Sequence, residues 1–257
     1  LRILLGNIAD FDAAKDSVPR SQWTDLDLYI NERFGALITK CADFYASYQF
    51  SQVYQAVNRF CAVDLSAFYI DVLKDRMYCS AKEDLRRRSA QSAMHEIVSG
   101  LARILAPVIP FTAEEAWSFL GRKNSVHLEK FPSAGEFPSN PNLQQNGEAL
   151  LELRGKVNEK LEVARREKLI GKSLEAYITI PEIRGLAGPL NFDLDEVFVA
   201  SQVWVDDPKA EITVTRAEDH GMKKCVRCWK YWDRVGSDPA HPELCDRCTG
   251  VVLNWQL

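Results

Sequence analysis

The sequence predicts a mainly α fold: an antiparallel helical bundle, then a small α/β unit, then a short tail built around paired cysteines. Three observations carry this. Apolar residues recur at three- and four-residue steps through the first half of the chain. Runs of β-branched and aromatic residues of strand length first occur beyond residue 175. Four of the seven cysteines fall into two C-x2-C pairs after residue 220.

The elements follow in order. Leu26, Ile30, Phe34, Leu37, Cys41, Phe44 and Tyr48 lay one apolar stripe along a long helix. Thr24 is its expected N-cap, because a hydroxyl there accepts a backbone N–H that the first turn leaves unpaired. A second stripe runs through Val53, Val57, Cys61, Phe68 and Val72. A third runs through Ala90, Met94, Ile97, Leu101 and Leu105, and Pro107 and Pro110 forbid its continuation. Thr112 and Glu115 have the spacing of a capping box that opens a short helix carrying Trp117 and closing near Gly121. Long amphipathic helices with short connections pack as antiparallel neighbours. Pro132, Pro138 and Pro141 among Ser, Asn, Gln and Gly mark a linker before a fourth long helix through Leu150, Leu153, Val157, Leu161 and Ala164. Strands are expected at 176–180, 197–199 and 212–215. The expected division is therefore a helical bundle over 1–135, a small α/β junction domain over 136–220 and a four-cysteine domain over 221–257.

Length and composition agree. At roughly 150 residues per domain, 257 residues make two domains, or three if one is small. A hydrophobic content of 46% supplies a core and excludes disorder over the whole length. No apolar run approaches the ~18 residues of a membrane span, and the first residues lack the features of a signal peptide. A net charge of −4 leaves nucleic-acid contact to local basic patches. The uneven spacing and odd number of cysteines argue against a disulfide-stapled secreted domain and for the cytoplasm. The chain opens on Leu1 without a Met, in mid-pattern, so a fragment of a longer protein is expected.

The strongest chemical signal is Cys225-Val226-Arg227-Cys228 followed by Cys245-Asp246-Arg247-Cys248. Two such knuckles direct four sulfurs at one point, which suits zinc, and four protein ligands leave no position for substrate; the metal is expected to be structural. About forty residues bury too little to fold alone, so metal binding supplies the difference. His220 and His241 stand near the pairs, but the thiolates already fill the shell. Around the first knuckle lie Lys223, Lys224, Arg227, Trp229, Lys230, Tyr231 and Trp232. Cations interleaved with flat aromatic faces are what single-stranded nucleic acid requires. Trp229 and Trp232 have a competing reading as packing for a small domain, and the Arg227 side chain is expected to point outward. Lys160, Arg165, Arg166, Lys168 and Lys172 make the end of the fourth helix basic, and Arg86, Arg87 and Arg88 open the third; both runs read more readily as solvated surface than as phosphate contacts. Gly171-Lys172-Ser173 is no phosphate loop, because the second glycine that loop needs is replaced by Arg166. His95 and His127 have no partner at ligand or triad spacing. Cys41 and Cys61 are expected to serve as small apolar core residues.

Several segments resemble a known family. Leu105 through Trp117 is similar to the signature of the helical anticodon-binding domain of class I synthetases for isoleucine, valine and leucine. Leu65 through Tyr78, Leu4-Leu5-Gly6-Asn7 with Asp10-Phe11, and Ala164 through Ala176 resemble segments of the bacterial isoleucyl-tRNA synthetases. Cys225-x-Arg227-Cys228-Trp229 with Cys245-x-Arg247-Cys248 looks like that family's C-terminal zinc finger. The resemblance implies a class I anticodon-binding bundle followed by a zinc-knuckle tail. It also implies the tRNA-binding part of an enzyme that activates isoleucine with ATP and attaches it to its tRNA. Neither catalytic signature of that class occurs here, so no catalytic residue is expected in the chain. ATP and Mg2+ would belong to the absent catalytic domain, and the chain alone would be inactive. The expected partner is the anticodon region of an isoleucine tRNA, bound by Arg227, Trp229, Lys223, Lys224 and Lys230, with no DNA or membrane partner and a monomeric chain. The alternatives are a valyl- or leucyl-type relative and a stand-alone nucleic-acid adaptor. A DNA-repair glycosylase with similar cysteine spacing uses an N-terminal proline, whereas this chain opens Leu1-Arg2.

Overall fold

The computed structural model describes residues 1–183, 191–208 and 210–254. Its helices are α1 (Arg2–Asn7), α2 (Asp25–Ala46), α3 (Phe50–Arg59), α4 (Ile70–Val72), α5 (Lys74–Cys79), α6 (Leu85–Leu105), α7 (Pro110–Phe119), α8 (Pro141–Arg166), α9 (Leu194–Val197) and α10 (Asp246–Leu253). Strands β1 (Ala176–Pro181), β2 (Gln202–Asp206) and β3 (Thr213–Arg216) form one sheet, and β4 (Lys223–Lys224) and β5 (Tyr231–Trp232) another. The chain divides into two compact units, Leu1–Asp71 with Lys82–Gln144, and Val72–Ala81 with Gln145–Leu257. The small sheet and the cysteine tail thus share a unit, and ten residues from the helical half join them. No helix among the described residues is long and apolar enough to cross a membrane.

The first unit is helical. Thr24 caps α2, its hydroxyl accepting from the Asp27 N–H, and the predicted stripe is buried at Leu26, Ile30, Phe34, Leu37 and Cys41. Asp27, on the same buried face, accepts from the hydroxyls of Thr24 at 2.7 Å and Tyr69 at 2.6 Å, and from Ser89 on α6. The carboxylate thereby ties together three segments far apart in sequence. The second stripe departs from expectation. Residues Phe60–Tyr69 are π-helical, so each turn takes more residues and the buried face slips. Phe60, Asp64, Leu65, Phe68 and Tyr69 become buried, while Cys61, expected in the core, is only half-buried. Asp64 in this segment pairs with Arg33 of α2.

The predicted capping box at Thr112 does not form. Helix α7 begins earlier, with Pro110 in its first turn, where the missing N–H is no loss. Glu114 instead accepts from the Val126 N–H and the Ser125 hydroxyl, at 2.9 and 2.8 Å, fastening the following turn to α7. A capping box does occur at Ser133 and Glu136.

In the second unit β1 lies between β2, to which it runs parallel, and β3, to which it is antiparallel. The strand expected at 197–199 is absent. Asp193 accepts from the Glu196 N–H at 3.2 Å and starts α9 there; Val199 then turns the chain with φ 53°, and the strand begins at Gln202. The local cap overrides β-branched propensity.

Gly100 on α6 faces the buried Phe34 ring of α2: a Cβ there would lie 2.7 Å from the Phe34 Cζ. Gly100→Ala gains about 1 kcal/mol of helix propensity, but the overlap with a buried ring is expected to cost about 1–3 kcal/mol. The net outcome should be destabilisation of the helical unit in urea unfolding; a gain in stability would show that α2 and α6 separate freely.

Candidate metal centre and nucleic-acid interface

The tail is built from one tight hairpin and one short helix. Lys223 pairs with Trp232 and Lys224 with Tyr231, so the turn between β4 and β5 carries Cys225 and Cys228. Cys245 is the N-cap residue of α10 and Cys248 lies in its first turn. All four are buried, and their sulfurs lie within 4.8 Å of one another. The Cys228 and Cys245 sulfurs are 3.9 Å apart. A tetrahedron with Zn–S bonds of about 2.3 Å has an edge of about 3.8 Å, so the spacing fits a zinc tetrathiolate. The Cys245 N–H donates to the Cys225 sulfur at 3.4 Å, as a loop wrapped around thiolates should. Hydrogen bonds from Cys245 and Cys248 hold the Cys228 thiol far below its ordinary pKa, outweighing burial. His220 is engaged elsewhere, with its Nε2 2.9 Å from the Thr215 hydroxyl and its ring stacked on Tyr177 at 3.9 Å. His241 is not in the metal-competent group, which consists of the four cysteines.

The residues expected to contact nucleic acid separate into two sets. Trp229 is 56% exposed and sits at φ 64°, in the left-handed region that disfavours a side chain. The Lys172 ammonium lies 5.3 Å from the centroid of its ring. Lys223 and Lys224 are exposed on β4. Lys230, by contrast, is only 6% exposed and packs over the Trp232 ring at 5.7 Å. Arg227 does not point outward: its Nη1 donates to the Cys79 carbonyl at 2.6 Å and lies 3.5 Å from the Cys248 sulfur. Cys79 ends α5, where carbonyls lack helical partners, and a guanidinium is suited to satisfy them.

Other basic runs resolve similarly. Arg87 pairs with Asp10, and the buried Arg88 with Glu83 and Asp16, so neither is a free surface charge. At the end of α8, Arg165 binds Glu162 and the Ser173 hydroxyl, while Lys160, Arg166 and Lys168 are exposed. Sequence patterning missed three contacts. Arg247 forms a bidentate pair with Asp75 of α5, one of its bonds measuring 2.7 Å. Arg76, 3% exposed, forms another with Glu196 of α9, 7% exposed, one bond measuring 2.8 Å. The third is Lys172 on Trp229. The only available signal was that Arg227 and Arg247 occupy the same position in the two knuckles.

A family model described as the anticodon-binding domain of tRNA ligase matches residues 27–180. The chain belongs to this family. A second model, a zinc finger found in FPG and IleRS, matches residues 223–249 of this anticodon-binding-domain chain. Together with the four-sulfur cluster it supports a structural zinc. Among similar curated proteins are the isoleucine–tRNA ligases of Methylacidiphilum infernorum, 43% identical over 255 residues, Nitrosomonas europaea, 41% over 260, and Thermotoga maritima, 37% over 266. These alignments cover 98%, 96% and 98% of the chain but only 28%, 28% and 29% of the relatives. The anticodon-binding-domain chain therefore spans under a third of the length of the curated relatives it matches.

One titration in the cysteine-bearing unit can be checked directly. Burial pushes the Asp195 carboxyl up to about 6 from 3.8, with Asp193 adding to the rise and Lys230 and the Val203 N–H opposing it. The folded chain then holds this proton more tightly than the unfolded chain does. Its stabilising contribution is complete below about pH 4 and is lost as pH rises towards about 6. Carbon-13 NMR of the Asp195 side chain should give a midpoint near 6; a midpoint near 4 would place the carboxyl in water.

Proposed function

We propose that the chain is the tRNA-holding portion of an isoleucine–tRNA ligase and that it reads the anticodon region through its tail and bundle. Support comes from the anticodon-domain and zinc-finger matches, and from relatives named isoleucine–tRNA ligases that extend well beyond the chain. On this reading ATP and Mg2+ act in the remainder of the full-length enzyme, which activates isoleucine and transfers it to its tRNA, and the chain alone is inactive. Residues 1–135 are the anticodon-binding bundle, with antiparallel helices; 136–220 are the junction and 221–257 the zinc finger. The protein works in the cytoplasm as a monomer, without DNA or membrane partners.

The observation that carries the reading is Trp229. A large aromatic ring exposed to solvent, in a backbone conformation that glycine prefers, contributes little to packing and is strained where it stands. A base that has left its stack needs such a face. Lys172 beside the ring, with Lys223 and Lys224 on the adjoining hairpin, supplies positive charge for the flanking phosphates. On this reading Lys230, packed over the Trp232 ring, and Arg227, bonded to the Cys79 carbonyl, support the turn rather than touch RNA. Cys225, Cys228, Cys245 and Cys248 hold the zinc. The metal keeps the hairpin turn in shape and so fixes the direction of the indole; it takes no part in chemistry.

Three variants test this. Purified protein should contain one zinc per chain, and Cys225→Ser should lose it and melt the tail while the helical unit keeps its circular dichroism, since that unit has its own core. Retention of full zinc by the variant would remove Cys225 from the ligand set. Trp229→Gly should weaken binding of an isoleucine tRNA by ~1–3 kcal/mol, the range for base–aromatic stacking. It should leave zinc content unchanged and the tail no less stable, because glycine suits φ 64°. Lys223→Ala should instead flatten the salt dependence by about one unit. If Trp229→Gly melts the tail without a separate binding defect, the indole is core.

A further inference from the structure

We propose that Arg227 and Arg247 are the charge-balancing outer shell of the metal centre, one from each knuckle. The inference rests on the zinc reading above. A zinc ion with four thiolates carries a net charge of −2, and in a buried site that charge is unfavourable unless opposite charge stands close by. The sequence supplies two cations at equivalent positions, the residue before the second cysteine of each pair. The structure sets Arg227 against a sulfur and holds Arg247, by its Asp75 pair, beside Trp232. Arg227 Nη1 lies 3.5 Å from the Cys248 sulfur. The Trp232 ring under the Arg247 guanidinium packs against the four cysteines. The Arg247 Nε is buried with no hydrogen-bond partner among the described residues, and the guanidinium lies 6.0 Å from the centroid of the Trp232 ring.

The same two guanidinium groups hold α5. Arg227 donates to the carbonyl at its C-terminal end, and Arg247 pairs with Asp75 in its first turn. Arg227 Nη1 thus lies against both the last carbonyl of the helix and a sulfur, while Arg247 places both Nη groups on Asp75 and keeps its buried Nε unpartnered among the described residues. The α5 helix works as a bracket that stops the cations from swinging into solvent. This explains why Arg227, placed in a motif rich in nucleic-acid chemistry, is absent from the exposed face.

A simple structural bridge and a charge-balancing shell make opposite predictions. Arg247→Met and Arg227→Met should each release zinc about 10–100-fold faster to the chelator 4-(2-pyridylazo)resorcinol, the usual effect of losing an outer-shell partner. Lysine at either position should recover part of the loss, since charge is kept and the fork geometry is not. Asp75→Asn breaks the same ion pair but leaves the Arg247 charge to the sulfurs. It should expose α5 amides to hydrogen exchange while leaving zinc release at or below the wild-type rate. Arg216→Met, on an exposed pair with Glu218, controls for overall charge. If Asp75→Asn and Arg247→Met accelerate release equally, the pair is a bridge and the proposal fails. Wild-type release rates in both methionine variants would also overturn it. Failure of the zinc reading looks different: wild-type protein would contain no zinc, and cobalt titration would give no thiolate-to-metal absorption.

Discussion

The α5 helix, Lys74–Cys79, is held by three arginine side chains, and the organisation of the second unit depends on that grip. Arg76 reaches Glu196 in the interior, Arg247 reaches Asp75 and Arg227 reaches the Cys79 carbonyl. The first is the most constrained. Two charges withdrawn from water are tolerable only when each satisfies the other's hydrogen bonds, and removal of one partner alone costs about 3–5 kcal/mol. A planar guanidinium against a carboxylate has that property, and a lysine ammonium does not. The pair therefore specifies which segment fills the place beside α9, and the segment it selects, Val72–Ala81, comes from within the sequence of the helical half.

The cysteine tail shows what happens when a domain has little apolar surface to bury. Its core is four sulfurs with Cys79, Trp232, Val235 and Leu244 packed around them. Burial pushes the Cys79 thiol up to about 12, so this fifth cysteine stays protonated at neutral pH and behaves as an apolar group beside the site. With so little to pack, the tail still leaves the Trp229 ring on the outside. Trp229 projects from a left-handed position that a glycine would occupy without strain. Local conformational consistency is given up at this exposed ring, and such violations concentrate at functional sites.

The helical unit solves a different problem. It has ample apolar surface, and specificity comes from polar groups set into it. Asp27 joins α2, the π-helical segment and α6 through hydroxyl donors, and the Arg33–Asp64 pair ties α2 to the π-helical segment a second time, nearly two turns further on. Apolar packing alone accepts many registers of one helix against another; a buried carboxylate that needs its donors accepts few. The π-helix brings Asp64 and Tyr69 onto the buried face together, at the expense of Cys61, which the regular α period would have buried.

What the sequence alone determined is the part of the protein governed by near neighbours. The period of α2, the Thr24 cap, β1 and the cysteine pairs follow from spacings of a few residues, because a helical turn, a strand pleat and a metal knuckle are all local geometries. The exposed lysines of β4 belong to the same class. Errors came where a distant partner or a competing cap decided the outcome. Val197–Val199 has the composition of a strand, yet the Asp193 cap makes it the end of a helix. Thr112 has a capping spacing, yet Pro110 starts the helix first and Glu114 is drawn to Val126. The Arg227 side chain, expected to point outward, is turned instead to the Cys79 carbonyl. Lys172 and Trp229 are 57 residues apart in the chain and meet only after folding. A side chain's charge is written in the sequence; whether that charge faces a phosphate, a carboxylate or a sulfur depends on what tertiary packing places within about 4 Å of it, where electrostatic and hydrogen-bond energies are decided.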